Sequence, residues 1–223
     1  MPFEIPERIG HATPDSTRLV AMRKTFAQSA APVRLLPSNA TMMLLCCGVF
    51  VALAAALALP VGFYGLAGMS VAARWVDYFV VFLLALVLAG GVVEQMIPGS
   101  RRTIRPLWGM LLTILLLSVT ATVLFPNFDT DRFVPRGIPC LRYGVLSSIP
   151  AAGLTWLLMR RGFITDPFSA AVFGGALSGL LGAAVLALHC PIFSSPHIIV
   201  WHAGVIVVTS LTGACVGLFR MRK

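Results

Sequence analysis

Residues 167–219 carry no Asp, Glu, Lys or Arg, and no other feature of the chain limits its fold so tightly. A bilayer core about 30 Å thick is crossed by roughly 20 helical residues, so this stretch is too long for one crossing, and Pro191 and Pro196 break it. It reads as two membrane-crossing helices joined by a short turn. Four more apolar runs of crossing length precede it, at 41–59, 76–97, 107–125 and 141–159, and the hairpin itself supplies 168–188 and 198–219. With 58% hydrophobic and 11% charged residues, the chain is not composed as a soluble globular domain. Lipid offers no hydrogen-bond partner to an exposed backbone amide, so unbroken apolar runs of this length must be helices. The expected fold is all-α, a polytopic membrane protein with six transmembrane helices.

Orientation follows from where Lys and Arg fall, because positive residues are retained on the cytoplasmic side. With the N-terminus inside, the cytoplasmic segments hold Arg8, Arg18, Arg23, Lys24, Arg34, Arg101, Arg102, Arg105, Arg160, Arg161, Arg220, Arg222 and Lys223; only Arg74, Arg132, Arg136 and Arg142 lie outside. Both termini are therefore expected to be cytoplasmic. This divides the chain into a cytoplasmic N-terminal segment, 1–40, a six-helix transmembrane domain, 41–219, and a short cytoplasmic tail, 220–223. The first run begins too far in for an ordinary cleavable signal and is expected to stay. The net charge of +9 and the pI near 10.2 are then a topology signal. No dense basic run or nucleic-acid motif accompanies them, and no direct nucleic-acid binding is expected.

In the N-terminal segment Pro14, Asp15 and Ser16 read as a helix start, and Leu19, Met22, Phe26 and Ala30 recur at spacings of three and four. That is one apolar stripe, with Arg18, Arg23, Lys24 and Gln28 on the other faces. Such a helix either rests on anionic lipid or docks in a groove of a cytoplasmic protein, and Leu19, Met22 and Phe26 are its candidate partner-binding residues. Inside the membrane the chain is chemically quiet. Asp77 and Glu94 fall near opposite ends of the second run, where headgroups and water can solvate them. No ionisable group is expected at the midplane, which weighs against transport. Ala171, Gly175, Gly179 and Ala183 are four apart, as are Gly213 and Gly217. Small residues at that spacing let helices approach closely, so these glycines are read as helix-packing positions. Cys46, Cys47 and Cys215 are read as small apolar packing residues.

The remaining two cysteines, Cys140 and Cys190, fall outside the membrane on one face, together with His189, His197 and His202. Thiols and imidazoles bind soft metals, and thiols undergo redox chemistry. A disulfide between Cys140 and Cys190 is permissible in an oxidising compartment, and so is a soft-metal site drawn from Cys140, Cys190, His189, His197 and His202. Spacing alone does not choose between them. No cofactor is required by either, and the chain lacks the Cys-x-x-Cys spacing of a thiol-disulfide enzyme.

Several of these residues carry a family resemblance. Gly137, Pro139, Cys140 and Leu141 open a span, Arg160, Arg161 and Gly162 follow it, a Gly-rich span ends in Ala187, Leu188, His189, Cys190 and Pro191, and Trp201 stands in the next; Val33, Arg34, Leu35, Leu36 and Pro37 precede the first span. This pattern resembles the NrsF family, six-span proteins of the bacterial inner membrane that act as anti-sigma factors for extracytoplasmic-function (ECF) sigma factors. The resemblance implies an ECF sigma factor as partner, no enzymatic activity, and a sensing role for Cys140 and Cys190 toward metal or oxidative stress. On that reading residues 1–40 hold the sigma factor and a change at the cysteines releases it. The rival expectation is a small metal or solute transporter or channel that admits its cargo through the outer Cys/His cluster.

Overall fold

The computed structural model describes residues 16–29, 38–97, 104–160, 162, 164 and 166–221, which form helices joined by short turns and loops, with no strand among them. The chain separates into two units, one ending at Leu36 and the other beginning at Pro37. The first contains α1, Ser16–Ser29. Its Leu19 and Met22 are exposed, as the stripe requires if it is to meet something else. Phe26 lies in α1 but its side chain is outside the described residues, as are Pro14, Asp15, Ala30 and 33–37.

The second unit holds α2 (Asn39–Ala58), α3 (Tyr64–Gly68), α4 (Val71–Glu94), α5 (Pro106–Leu124), α6 (Phe133–Met159), α7 (Pro167–His189) and α8 (Ser195–Met221). Local chemistry sets several of the boundaries. Ser38 caps α2 by accepting from the Thr41 amide, Ser70 caps α4 by accepting from Ala73, and Asp166 caps α7 through Ser169, each satisfying an amide that the first turn leaves free. After α2 the chain reverses at Gly62, whose φ of +86° suits a residue without a side chain. Pro191 ends α7, because its ring cannot continue the helical ladder.

Five helices, α2, α4, α5, α7 and α8, are long and apolar enough to cross a membrane. The run expected at 141–159 lies in α6, which has the length at 27 residues but carries Arg136, Arg142, Pro139, Pro150, Ser147 and Ser148 among its apolar residues. α7 is the centre of the bundle: 78% of its most apolar window is buried, against 22% for α2 and 17% for α5. Phe173, Leu180, Leu181 and Val185 of α7 pack with Leu84, Leu88 and Val92 of α4 and Ile206 of α8 in one core. α7 and α8 touch most extensively of all the helix pairs, and glycine makes this possible. A Cβ at Gly175 would strike the Thr209 carbonyl, one at Gly213 the Ala171 carbonyl, one at Gly179 would sit 2.7 Å from the Ile206 Cα, and one at Gly217 2.8 Å from the Phe168 Cα. All four glycines singled out from the sequence lie on this one interface.

Candidate functional site

Three elements converge at one end of the bundle. α6 places Cys140 in its second turn, just before 141–159. Cys190 is the residue that closes α7, its amide donating to the Leu186 carbonyl at 2.7 Å. The turn that follows is anchored to α5: the Ser195 amide donates to the Asn127 carbonyl at 2.8 Å, and the Ser195 hydroxyl donates to the carbonyls of Ala121 and Phe125. That anchoring fixes His197, only 2% exposed, over the end of α7.

The Cys140 and Cys190 sulfurs are 3.7 Å apart and both are free thiols. The Cys190 sulfur is 3.5 Å from His197 Nε2, and the three ligand atoms lie within 4.8 Å of one another. The pair shares a proton. Cys140 is brought down from 9.0 to about 5, chiefly because Cys190 donates a hydrogen bond to its sulfur, with His197 adding to the pull against the effect of burial. Cys190 is raised, first by that same bond and then by burial. One partner is thus a ready thiolate and the other a buried donor, the polarity of a reactive pair.

The donor set suits a soft cation. A tetrahedral site with Zn–S near 2.3 Å and Zn–N near 2.0–2.1 Å needs S···S of about 3.8 Å and S···N of about 3.5 Å. Two edges of the observed triangle already have those lengths. A small cavity lined by Asn127, Asp129, Asp131, Arg136 and Ser194 reaches His197 from outside the bundle, so carboxylates stand beside the approach. The same 3.7 Å gap is also closed by modest side-chain movement into a disulfide.

The other two histidines lie apart from the triangle. His189 Nδ1 is 3.2 Å from the Gly62 carbonyl, and its ring packs between Tyr64 and Tyr143. His202 is buried against the His197 ring at a centroid distance of 5.5 Å. In an α-helix residues five apart differ by about 140° in direction, but residues 198–202 form a π-turn in which the Ala203 amide reaches back to the Ile198 carbonyl. The wider turn brings the two rings to one side, and such turns occur often at functional sites. His202 Nε2 has no hydrogen-bond partner among the described residues and lines a cavity of about 30 Å³ with Asp77. Asp77 is therefore turned toward the bundle interior, where the sequence reading placed it among headgroups and water; its place on the α4 face toward α8 was not visible in an apolar run. Of the packing cysteines, Cys47 is buried, Cys46 half-buried and Cys215 exposed.

Residues 26–222 match the family described as NrsF, negative regulator of sigma F. The chain belongs to the NrsF family. No curated protein and no solved structure matches it. Membership brings a sigma factor as the regulated partner, and the NrsF match takes in every element of the second unit together with the Cys140–Cys190–His197 triangle. Gly137, one of the residues that carried the resemblance, supports that triangle at one remove: it packs directly beneath the Trp201 ring, four residues beyond His197, leaving no room for a side chain between α6 and α8.

Proposed function

We propose that this NrsF-family chain is a six-span anti-sigma factor of the bacterial inner membrane, with both termini cytoplasmic and α6 as its fourth span. Residues 1–40 hold an ECF sigma factor at the membrane, and metal binding or oxidation at Cys140 and Cys190 weakens that hold. The observation that carries the reading is the meeting of two thiols fifty residues apart at 3.7 Å, with the His197 ring against one of them. His197 is the third ligand in the metal-bound form.

Moving a two-state bundle from mostly holding to mostly releasing requires a preference of roughly 5 kcal/mol for one state. Closing a disulfide or filling a thiolate-imidazole site supplies several kcal/mol of that order. A metal carrier using the same cluster would need a path inward. The next polar groups, His202 and Asp77, share a cavity of about 30 Å³, room for a water and not for a hydrated ion, which favours a sensor over a carrier.

The test is co-purification of the full-length chain from its own membranes, with and without a soft metal or an oxidant. An ECF sigma factor should accompany the untreated protein and leave it on treatment, and Cys140→Ser or Cys190→Ser should abolish the release. Retention of the sigma factor by the treated wild-type protein, or its absence throughout, would overturn the proposal.

A further inference from the structure

A groove runs along the face of the bundle between α6 and α8, with α7 as its floor. Its deeper part is a cavity of about 290 Å³ lined by α6 from Val145 to Met159, by Gly174, Gly175 and Ser178 of α7, and by α8 from Val208 to Val216. It runs on into a second cavity of about 430 Å³, because Trp156, Met159, Ala171 and Val216 line both. Arg160 and Arg220 line that second cavity and are exposed. No acidic residue lines either part among the described residues.

The chemistry changes along the groove. Four of the five hydroxyls on its walls are spent on their own helices: Ser148 donates to Val145, Ser178 to Gly174, Thr209 to Val205 and Thr212 to Val208. The deep part therefore presents an apolar surface. From Val145 to Arg160 the groove extends about 22 Å at 1.5 Å per residue, about half as much again as one leaflet's share of a core about 30 Å thick. At its mouth the Arg160 guanidinium stands over the Trp156 ring, 4.8 Å from the centroid, a placement that orients the cation and suits an interfacial tryptophan.

We infer that this groove is a binding site for one anionic phospholipid, an acyl chain lying between α6 and α8 and the phosphate held by Arg160 and Arg220. Charge selects the occupant. Two copies of a membrane protein share one orientation, so pairing through this face in a symmetric dimer would bring four guanidiniums to one depth, with no acidic residue in the described lining of the groove to offset them. A lipid phosphate placed between Arg160 and Arg220 offsets part of their charge, and basic pockets between spans at the cytoplasmic side are suited to such headgroups. The site lies at the opposite end of α6 from Cys140. A lipid wedged between α6 and α8 braces the two helices that present Cys140 and His197.

The experiment is native mass spectrometry of the full-length protein in detergent, with equimolar phosphatidylglycerol and phosphatidylcholine of identical acyl chains. The wild-type protein should retain one phosphatidylglycerol with a preference of roughly tenfold or more over phosphatidylcholine. Arg160→Gln with Arg220→Gln should bring that preference close to unity, and these exposed positions leave the core intact. Ala152→Trp, which fills the exposed groove wall without touching either arginine, should lower retention of both lipids. Equal retention of the two lipids by the wild-type protein, or an unchanged preference in the double variant, would overturn the site. So would a lipid-free dimer dissolved by Ala152→Trp, since the occupant would then be a second copy.

Discussion

Replacing Cys190 by Ala removes the S–H that is the largest cause of the depressed Cys140 pKa, and the consequence is best read as a pH profile. In the intact pair Cys140 ionises at about 5; without its donor it should climb toward the ordinary 9.0, held back in part by His197. If the whole shift reverted, the thiolate fraction at pH 7 would fall from about 99% to about 1%. Reactivity does not fall in proportion, because a thiolate of higher pKa is the better nucleophile. With a Brønsted coefficient of 0.4–0.5, four units of pKa raise the intrinsic rate by about 60-fold. The two effects almost cancel near neutrality, so one rate measured at pH 7 would show next to nothing.

Away from pH 7 they separate. At pH 5 the wild-type pair should react on the order of 80 times faster than Cys190→Ala, and at pH 9 the variant should be some 30 times faster, rising toward about 60 times above it, so the profiles cross near neutrality. The assay is the rate of exchange of Cys140 with a membrane-impermeant disulfide on protein reconstituted with its outer face exposed, from pH 4 to pH 10, in a background where Cys46, Cys47 and Cys215 are Ala. Coincident profiles for wild type and Cys190→Ala, or a wild-type midpoint near 9, would refute the shared proton and the donor role assigned to Cys190.

The metal-binding triangle predicts that Cys140→Ser and Cys190→Ser weaken Zn²⁺ or Cd²⁺ binding non-additively, since either change already removes the thiolate pair. His197→Ala should cost at least about tenfold in affinity and His189→Ala little, measured by competition with a chelating dye. For topology, reporter fusions after Phe128 and Ser194 should report the outer side and those after Arg102 and Lys223 the inner side; an outer C-terminus would remove the six-span arrangement. On the sigma-factor side, Leu19→Asp or Phe26→Asp in the full-length chain should reduce co-purified sigma factor, as a charge on the apolar stripe makes burial costly, and undiminished recovery would assign the stripe to lipid. Gly179→Leu should destabilise the α7–α8 interface by about 1–3 kcal/mol, read as a lower thermal midpoint in detergent, whereas Gly153→Leu, which meets nothing within 4 Å, should leave it unchanged.

Much of the helical layout was legible because membrane-crossing helices announce themselves by length and composition, and Pro191 and Pro196 mark the reversal between α7 and α8. The meeting of Cys140 and Cys190 was legible for a related reason: each stands at the end of an apolar run, and antiparallel neighbours bring such ends to one face. The order of burial was not. A soluble helix shows its buried side by contrast with its wet side, but α2, α5 and α7 are apolar all round, and nothing in their composition says that α7 is enclosed while the other two face outward. α6 shows the converse, since its prolines, serines and arginines dilute the hydropathy of a helix that nonetheless packs along α7.

The choice among histidines was hidden for a different reason. Regular α-helical spacing would have sent His197 and His202 to different faces, and proximity in sequence would have joined His189 to its neighbour Cys190. The π-turn at 198–202 overturns the first expectation, drawing the His202 ring against His197, and the end of α7 overturns the second, directing His189 away toward Gly62. A π-turn gives up regular hydrogen bonding over one turn, a costly irregularity in an environment with no water to replace the bonds. Its position between a thiol-facing histidine and a histidine that shares a cavity with Asp77 gives it a use. It sets His197 at the outer cluster and packs the His202 ring against it, one step further in, beside a small cavity that Asp77 of α4 also lines.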